Sequence, residues 1–193
     1  RVAAVELEGS AGFPRKKLIK KMKNRPKKIY SPQDLDGDFK ALGDFYKNNG
    51  YGDFSITSSS VSFNEDRSGV TIKLLVLEGT KQKFGATFFA GNTVYLPSEL
   101  LPAVEYRRGK LFNQARFDDT VRGIQDKYAD KGYLKAALVP DRIYNEKTGE
   151  TDVTFNITEN NQIFVDHVDV EGNKATKTYV LRREITQKEG TVF

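Results

Sequence analysis

A repeat of 81 to 82 residues runs through this chain and constrains what it can fold into more than any other feature. Glu8-Gly9-Ser10, Ala90-Gly91-Asn92 and Glu171-Gly172-Asn173 recur with their glycines 82 and 81 residues apart. Tyr46 and Gly50-Tyr51 return as Tyr128 and Gly132-Tyr133, and Ser31, Leu35, Phe39 and Leu42 return as Asn113, Phe117, Val121 and Ile124, all 82 residues on. Glu78 is matched by Glu159. Many independent positions on one offset define a tandem array, in which each unit is one small supersecondary structure. The boundaries that follow are 1–79, 80–159 and 160–193, the last being the opening part of a third unit. A chain that opens inside a strand and closes at Thr191-Val192-Phe193 is expected to be part of something longer.

Each unit reads locally as strand, helix, helix, strand, strand. First strands are expected over Val2–Glu8, Gln82–Ala90 and Ile163–Glu171, each ending in a glycine turn. Short helices follow at Pro14–Lys23, Pro97–Val104 and Lys177–Gln187, with proline at the tolerated first turn. Ser31-Pro32 and Asn113-Gln114 read as caps of the second helices. Those helices carry Leu35, Phe39, Leu42, Phe45 and Tyr46, and Phe117, Val121, Ile124 and Tyr128, an apolar stripe at helical period. Gly50 and Gly132 stand where a left-handed stop belongs. Hairpins then pair Phe54–Phe63 with Val70–Leu77 and Leu134–Tyr144 with Val153–Thr158. Val153, Phe155 and Ile157 alternate with Asp152, Thr154, Asn156 and Thr158, so one face is wet and the helices cover the other. The fold class is α+β, two helices on one face of a three-stranded mixed sheet, repeated. The third unit, with no second helix or hairpin, is expected to lean on the second unit, to pair with a neighbouring chain or to be poorly ordered.

Composition removes most chemistry. The chain has no cysteine, one histidine, one methionine and no tryptophan. Thiol nucleophiles and thiolate metal sites are therefore impossible, and a Ser-His-Asp triad is confined to the surroundings of His167. No catalytic residue, metal or cofactor is expected. On a strand, Asp166 and His167 would face opposite ways, a poor start for a metal site. Asp34, Asp36 and Asp38 resemble the opening of a calcium loop, but the twelfth position is Phe45 instead of a bidentate glutamate. Tyr46, Tyr51, Tyr128 and Tyr133 are expected at the helix–sheet junction with wet hydroxyls.

The net charge is +5, and it is unevenly placed. Arg15, Lys16, Lys17, Lys20, Lys21, Lys23, Arg25, Lys27 and Lys28 follow one another without an acid. As a basic helix, this run is expected either to be a solvated face or to contact anionic lipid head groups or an acidic partner. It lacks interleaved aromatics until Tyr30, so no nucleic acid is expected.

Strands ending in Glu171-Gly172-Asn173, helix stripes with Tyr46 and Tyr128, the Gly50-Tyr51 and Gly132-Tyr133 pairs and a strand closing on Glu78-Gly79 together resemble the POTRA domain. The set spans essentially the whole chain, and tandem units point to the POTRA arrays of BamA-like outer-membrane protein assembly factors. Gly9-Ser10-Ala11-Gly12 and Glu159-Asn160 depart from the usual pattern and blur the subfamily. The resemblance implies a periplasmic location, no catalysis, and as partners unfolded outer-membrane protein segments and accessory assembly lipoproteins. The POTRA arm of a dedicated secretion pore and a structural adaptor in cell division remain alternatives. It also implies that the fourth element of each unit lies at a sheet edge, where unpaired backbone groups accept a visiting strand. The candidate acceptor is Phe54, Ser55, Ile56, Thr57, Ser58, Ser59, Ser60 and Val61, with a β-bulge expected across Ser58–Ser60 because the apolar phase flips there. Pro140 makes the second unit's edge the poorer acceptor.

Overall fold

The computed structural model describes residues 1–172, 177–186 and 188–193. Asn173 and Gln187, expected in the third glycine turn and at the end of the third helix, lie outside the described residues. The elements in chain order are β1 (Val2–Glu8), α1 (Arg15–Ile19), α2 (Leu35–Lys47), β2 (Ser55–Phe63), β3 (Val70–Leu77), β4 (Lys83–Ala90), α3 (Pro97–Leu100), α4 (Gln114–Asp130), β5 (Ala137–Asn145), β6 (Glu150–Thr158) and α5 (Thr178–Glu184). They form two three-stranded sheets, ordered β1-β3-β2 and β4-β6-β5. Both are α+β repeats of the expected kind.

By compactness the chain divides into two units: residues Arg1–Ala86, Tyr106–Phe117 and Ile143–Asp152, and residues Thr87–Glu105, Asp118–Arg142 and Val153–Phe193. In the first, β1 runs parallel to β3, and β2 runs antiparallel to it. Val70, Ile72, Leu74 and Val76 of β3 face inward with Val2 and Val5 of β1, and Leu18, Met22, Leu42, Tyr46, Tyr51 and Phe54 close the core over them. Lys73, Leu75 and Leu77 alternate onto the outer face, as a strand with one wet side requires. The bulge is real but lies one step earlier than expected: the β2–β3 register shifts between Ile56 and Ser58, leaving Thr57 as the extra residue. Phe84, which opens β4, stacks on Tyr106 with centroids 3.9 Å apart and packs against Phe112.

Helix α1 stops four residues short of expectation, and buried polar groups explain why. The Asp38 carboxylate, on α2, accepts the backbone N–H groups of both Lys23 and Asn24. Asn24 in turn exchanges two hydrogen bonds with the backbone of Ser31, at 2.9 and 2.8 Å. These bonds outcompete a further helical turn, so Lys20–Lys28 is a run of turns instead of a basic helix. Ser31 makes no side-chain cap; Pro32–Asp34 forms a 3-10 turn before α2 instead. Asn113 does cap α4, its side-chain oxygen accepting the N–H of Arg116 at 3.0 Å.

In the second unit, Val153, Phe155 and Ile157 are buried along β6, and Leu100, Ile124 and Tyr128 are buried with them. Gly91 follows β4 at a φ of +79°, and a Cβ there would lie 2.1 Å from the Ile157 carbonyl oxygen. The expected strand over Ile163–Glu171 does not form: among the described residues only a bridge between Phe164 and Val192 is present. A strand is held by its ladder, and no described hairpin offers one here. Phe193 donates its N–H to the Ile163 carbonyl, and Ile163 donates to the Gly132 carbonyl.

Candidate functional site

Strand β2 pairs only with β3, and among the described residues nothing pairs with its outer side. Beside it lies a groove of about 290 Å³ lined by Phe39, Lys40, Gly43, Asp44 and Lys47 of α2 and by Phe54, Ser55 and Ile56. Its floor is apolar, from Phe39, Phe54 and Ile56, and its helical rim carries Lys40, Asp44 and Lys47. Gly43 has room to spare, since a Cβ there would come no nearer than 4.0 Å to Phe54. A glycine inside a helix costs roughly 1 kcal/mol relative to alanine, and here its missing side chain leaves the groove open. The sequence-derived acceptor residues Phe54 to Val61 are thus brought together with a helix face. Gly43 was the sequence signal for that face, as an isolated glycine inside a helical pattern.

The opposite edge of the same sheet is blocked. Val2 of β1 donates its N–H to the Lys28 carbonyl at 2.8 Å and accepts from the Lys27 N–H at 3.0 Å. The Arg15 guanidinium donates to the Val5 carbonyl. The same clasp recurs on Phe84, which bonds Lys110 and Gly109, and on Val165, which bonds Thr191 and Gly190. Lys27, Gly109 and Gly190 hold the left-handed position of the clasp, with φ of +76°, +77° and +77°.

The structure divides the basic run. Lys17 lies over the rings of Phe13 and Phe45, and Lys21 over Phe45. Lys23 pairs with Asp34 at 2.7 Å. Arg15 is spent on Val5. Lys16, Lys20, Arg25, Lys27 and Lys28 are exposed. On β5, Pro140 sits in an edge strand as expected. His167 reaches Asp166 and Asp169 through different ring nitrogens, at 3.0 and 3.2 Å. This corrects the strand geometry expected there, yet the two carboxylates are engaged on opposite sides of one exposed ring and do not converge. No metal-binding cluster exists among the described residues.

Two carboxylates matter more than the sequence suggested. Glu78, just past β3, accepts the N–H groups of Ala11 and Gly12 and the Tyr46 hydroxyl at 2.7 Å. Glu159 repeats this with the N–H groups of Thr93 and Val94, the Thr93 hydroxyl and the Tyr128 hydroxyl at 2.8 Å. Both tyrosines are therefore buried and bonded, against the wet hydroxyls expected. Burial, then the neighbouring glutamate, pushes the Tyr46 and Tyr128 hydroxyls well above the usual phenol range. Burial also pushes Glu159 up, but hydrogen bonds from the Thr93 hydroxyl, the Val94 N–H and Tyr128 outweigh it and hold the carboxyl below its ordinary value. The shared offset of Tyr46/Tyr128 and Glu78/Glu159 was the available signal.

Two sheets of this topology, each with its glycine turn latched by a glutamate and one open edge, define a class. The POTRA family model (surface antigen variable number repeat) matches residues 1–79 and again 82–160, and the chain belongs to that family. Within it, the chain is similar along its whole length to outer-membrane protein assembly factors of the BamA type. It is 27% identical to the outer membrane protein assembly factor BamA of Neisseria meningitidis serogroup B over 100% of this chain and 26% of that protein. It is also 27% identical to the BamA of Buchnera aphidicola, over 100% of this chain and 33% of that protein. The chain thus spans about a quarter to a third of the length of these relatives. The crystal structure of Haemophilus influenzae BamA POTRA3-5 shares the fold, with a TM-score of 0.80 at 22% identity over 100% of this chain and 79% of that one.

Proposed function

We propose that this chain is a non-catalytic, periplasmic POTRA region of an outer-membrane protein assembly factor that receives extended segments of unfolded barrel proteins by strand addition on β2 and docks accessory lipoproteins. The observation that carries this reading is the pairing of an open edge with an apolar groove at β2, while β1 on the other side of the sheet is clasped. An added strand gains main-chain hydrogen bonds from the edge, and its alternate side chains enter the groove along α2. Discrimination by alternation suits a ligand class, barrel strands, in which every second residue is apolar. The family membership and the full-length similarity to assembly factors support the same reading. No helix here is long and apolar enough to cross a membrane. The units are proposed to run over 1–79 and 80–159, with 160–193 beginning a third.

The test is amide chemical-shift titration of the labelled chain with a peptide from an outer-membrane barrel strand. Shifts are expected along residues 54–63 and on the groove-facing side of α2. Gly43→Leu, which fills the groove, is expected to remove them while leaving the remaining spectrum in place. Shifts absent at millimolar peptide, or scattered over both sheets, would overturn strand addition. The β5 edge, interrupted by Pro140, is expected to shift less.

A further inference from the structure

One end of the first sheet combines positive charge, exposed apolar side chains and an unfavourable backbone conformation that strand addition does not use. The Lys27–Lys28 segment lies on Val2 at the start of β1. The Tyr30 ring meets Phe63, at the end of β2, edge-on with centroids 6.4 Å apart. Ile29 is 82% exposed and Phe63 59%. A single exposed isoleucine is ordinary, but this one sits among Arg25, Lys27, Lys28 and, from the β2–β3 turn, Arg67, all exposed. The acids at this end are Glu65 and Asp66 of the same turn; Asp66 is folded back onto the Ser68 hydroxyl and N–H at 2.9 and 3.1 Å.

Lys27 supplies a second, independent observation. It holds a left-handed φ at the clasp position where the other two repeats place Gly109 and Gly190. Left-handed backbone is costly for a residue with a Cβ, and strain retained at one copy of a repeat points to a use for that side chain. Lysine there adds one more charge beside Ile29.

We propose that this end of the first repeat docks on an anionic bilayer surface. Arg25, Lys27, Lys28 and Arg67 would meet headgroup phosphates, and Ile29 and Phe63 would enter the boundary between headgroups and acyl chains. Such an interface rewards basic charge and an apolar tip together, which is the pairing displayed here. This surface is distinct from the β2 groove, and its readout does not depend on peptide binding.

The chain contains no tryptophan, so Ile29→Trp provides a single fluorescent reporter. Its emission is expected to shift blue, and the chain to co-sediment, with vesicles of mixed phosphatidylglycerol and phosphatidylcholine but not with phosphatidylcholine alone. Each basic side chain near such a surface contributes about five-fold in partitioning, so the combined Arg25→Glu, Lys27→Glu and Lys28→Glu variant is expected to lose about a hundred-fold or more. Ile29→Asp is expected to weaken binding further than its charge alone. Lys27→Gly should bind about five-fold more weakly while unfolding at higher denaturant, two opposite signs that a purely structural role for Lys27 cannot give. Absence of both the blue shift and co-sedimentation on anionic vesicles would overturn the proposal. So would binding that survives the triple reversal, or a response to soluble polyglutamate with none to vesicles, which would assign the patch to an acidic protein.

Discussion

Tyr128 and Glu159 do at the residue scale what a loop of small residues cannot do alone. The carboxylate gathers donors from the turn after β4 and from α4, so one side chain ties a turn, a helix and the end of β6. Tyr128→Phe is expected to destabilise the second unit by about 1 to 2 kcal/mol, read as a lower urea midpoint at unchanged slope. The pH dependence has a definite sign. The folded carboxyl lies below its ordinary value, so its contribution is present above the unfolded value of about 4.5 and is lost as pH falls through the folded one. Glu159→Gln should flatten that acid limb. At the alkaline end, burial raises Tyr46, Tyr95 and Tyr128. These three of the nine tyrosines are expected to resist ionisation at pH 11 and to titrate on unfolding, as measured by absorbance at 295 nm. Lys27→Gly, relieving a left-handed φ, should stabilise the first unit by about 1 kcal/mol.

At the scale of elements, legibility followed the strength of the periodic signal. The alternation of Val70, Ile72, Leu74 and Val76 and the stripe ending in Leu42 and Tyr46 placed β3 and α2 within a residue or two, because each pattern reports one buried face. Helix α1 was misjudged because its end is set by Asp38 and Asn24, whose partners are distant in sequence and invisible to any local pattern. The bulge was read from a phase flip, which locates a register change only to within the serine run; the ladder fixes it at Thr57. Of the candidate site, the strand was legible and the groove wall was not, since which face of α2 borders β2 depends on packing. The glycine turns were legible and bear a sharp prediction. Gly91→Ala would put a Cβ against the Ile157 carbonyl in a left-handed conformation, and should cost more than about 2 kcal/mol, seen as a lowered midpoint or loss of folded yield.

Across the whole molecule, the 81-to-82-residue offset proved to carry more than secondary structure. It also carries the clasp on Val2, Phe84 and Val165, built each time from a left-handed residue and its successor. The sequence reading missed this device, because its working parts are backbone groups and only the glycines leave a trace. It was also too generous to residues 163–171, where the first-strand pattern recurs without a ladder to hold it. The clasp bears on how such a chain behaves at high concentration. Growth of a sheet from molecule to molecule needs an open side on both flanks, one to receive and one to pass on. With β1 occupied at Val2 and Val5 and β2 open, the first sheet has a valence of one. A sheet of valence one can take a guest or pair with a twin, and either event terminates the growth. The chain can therefore expose a sticky edge to unfolded polypeptide without that edge seeding a fibre.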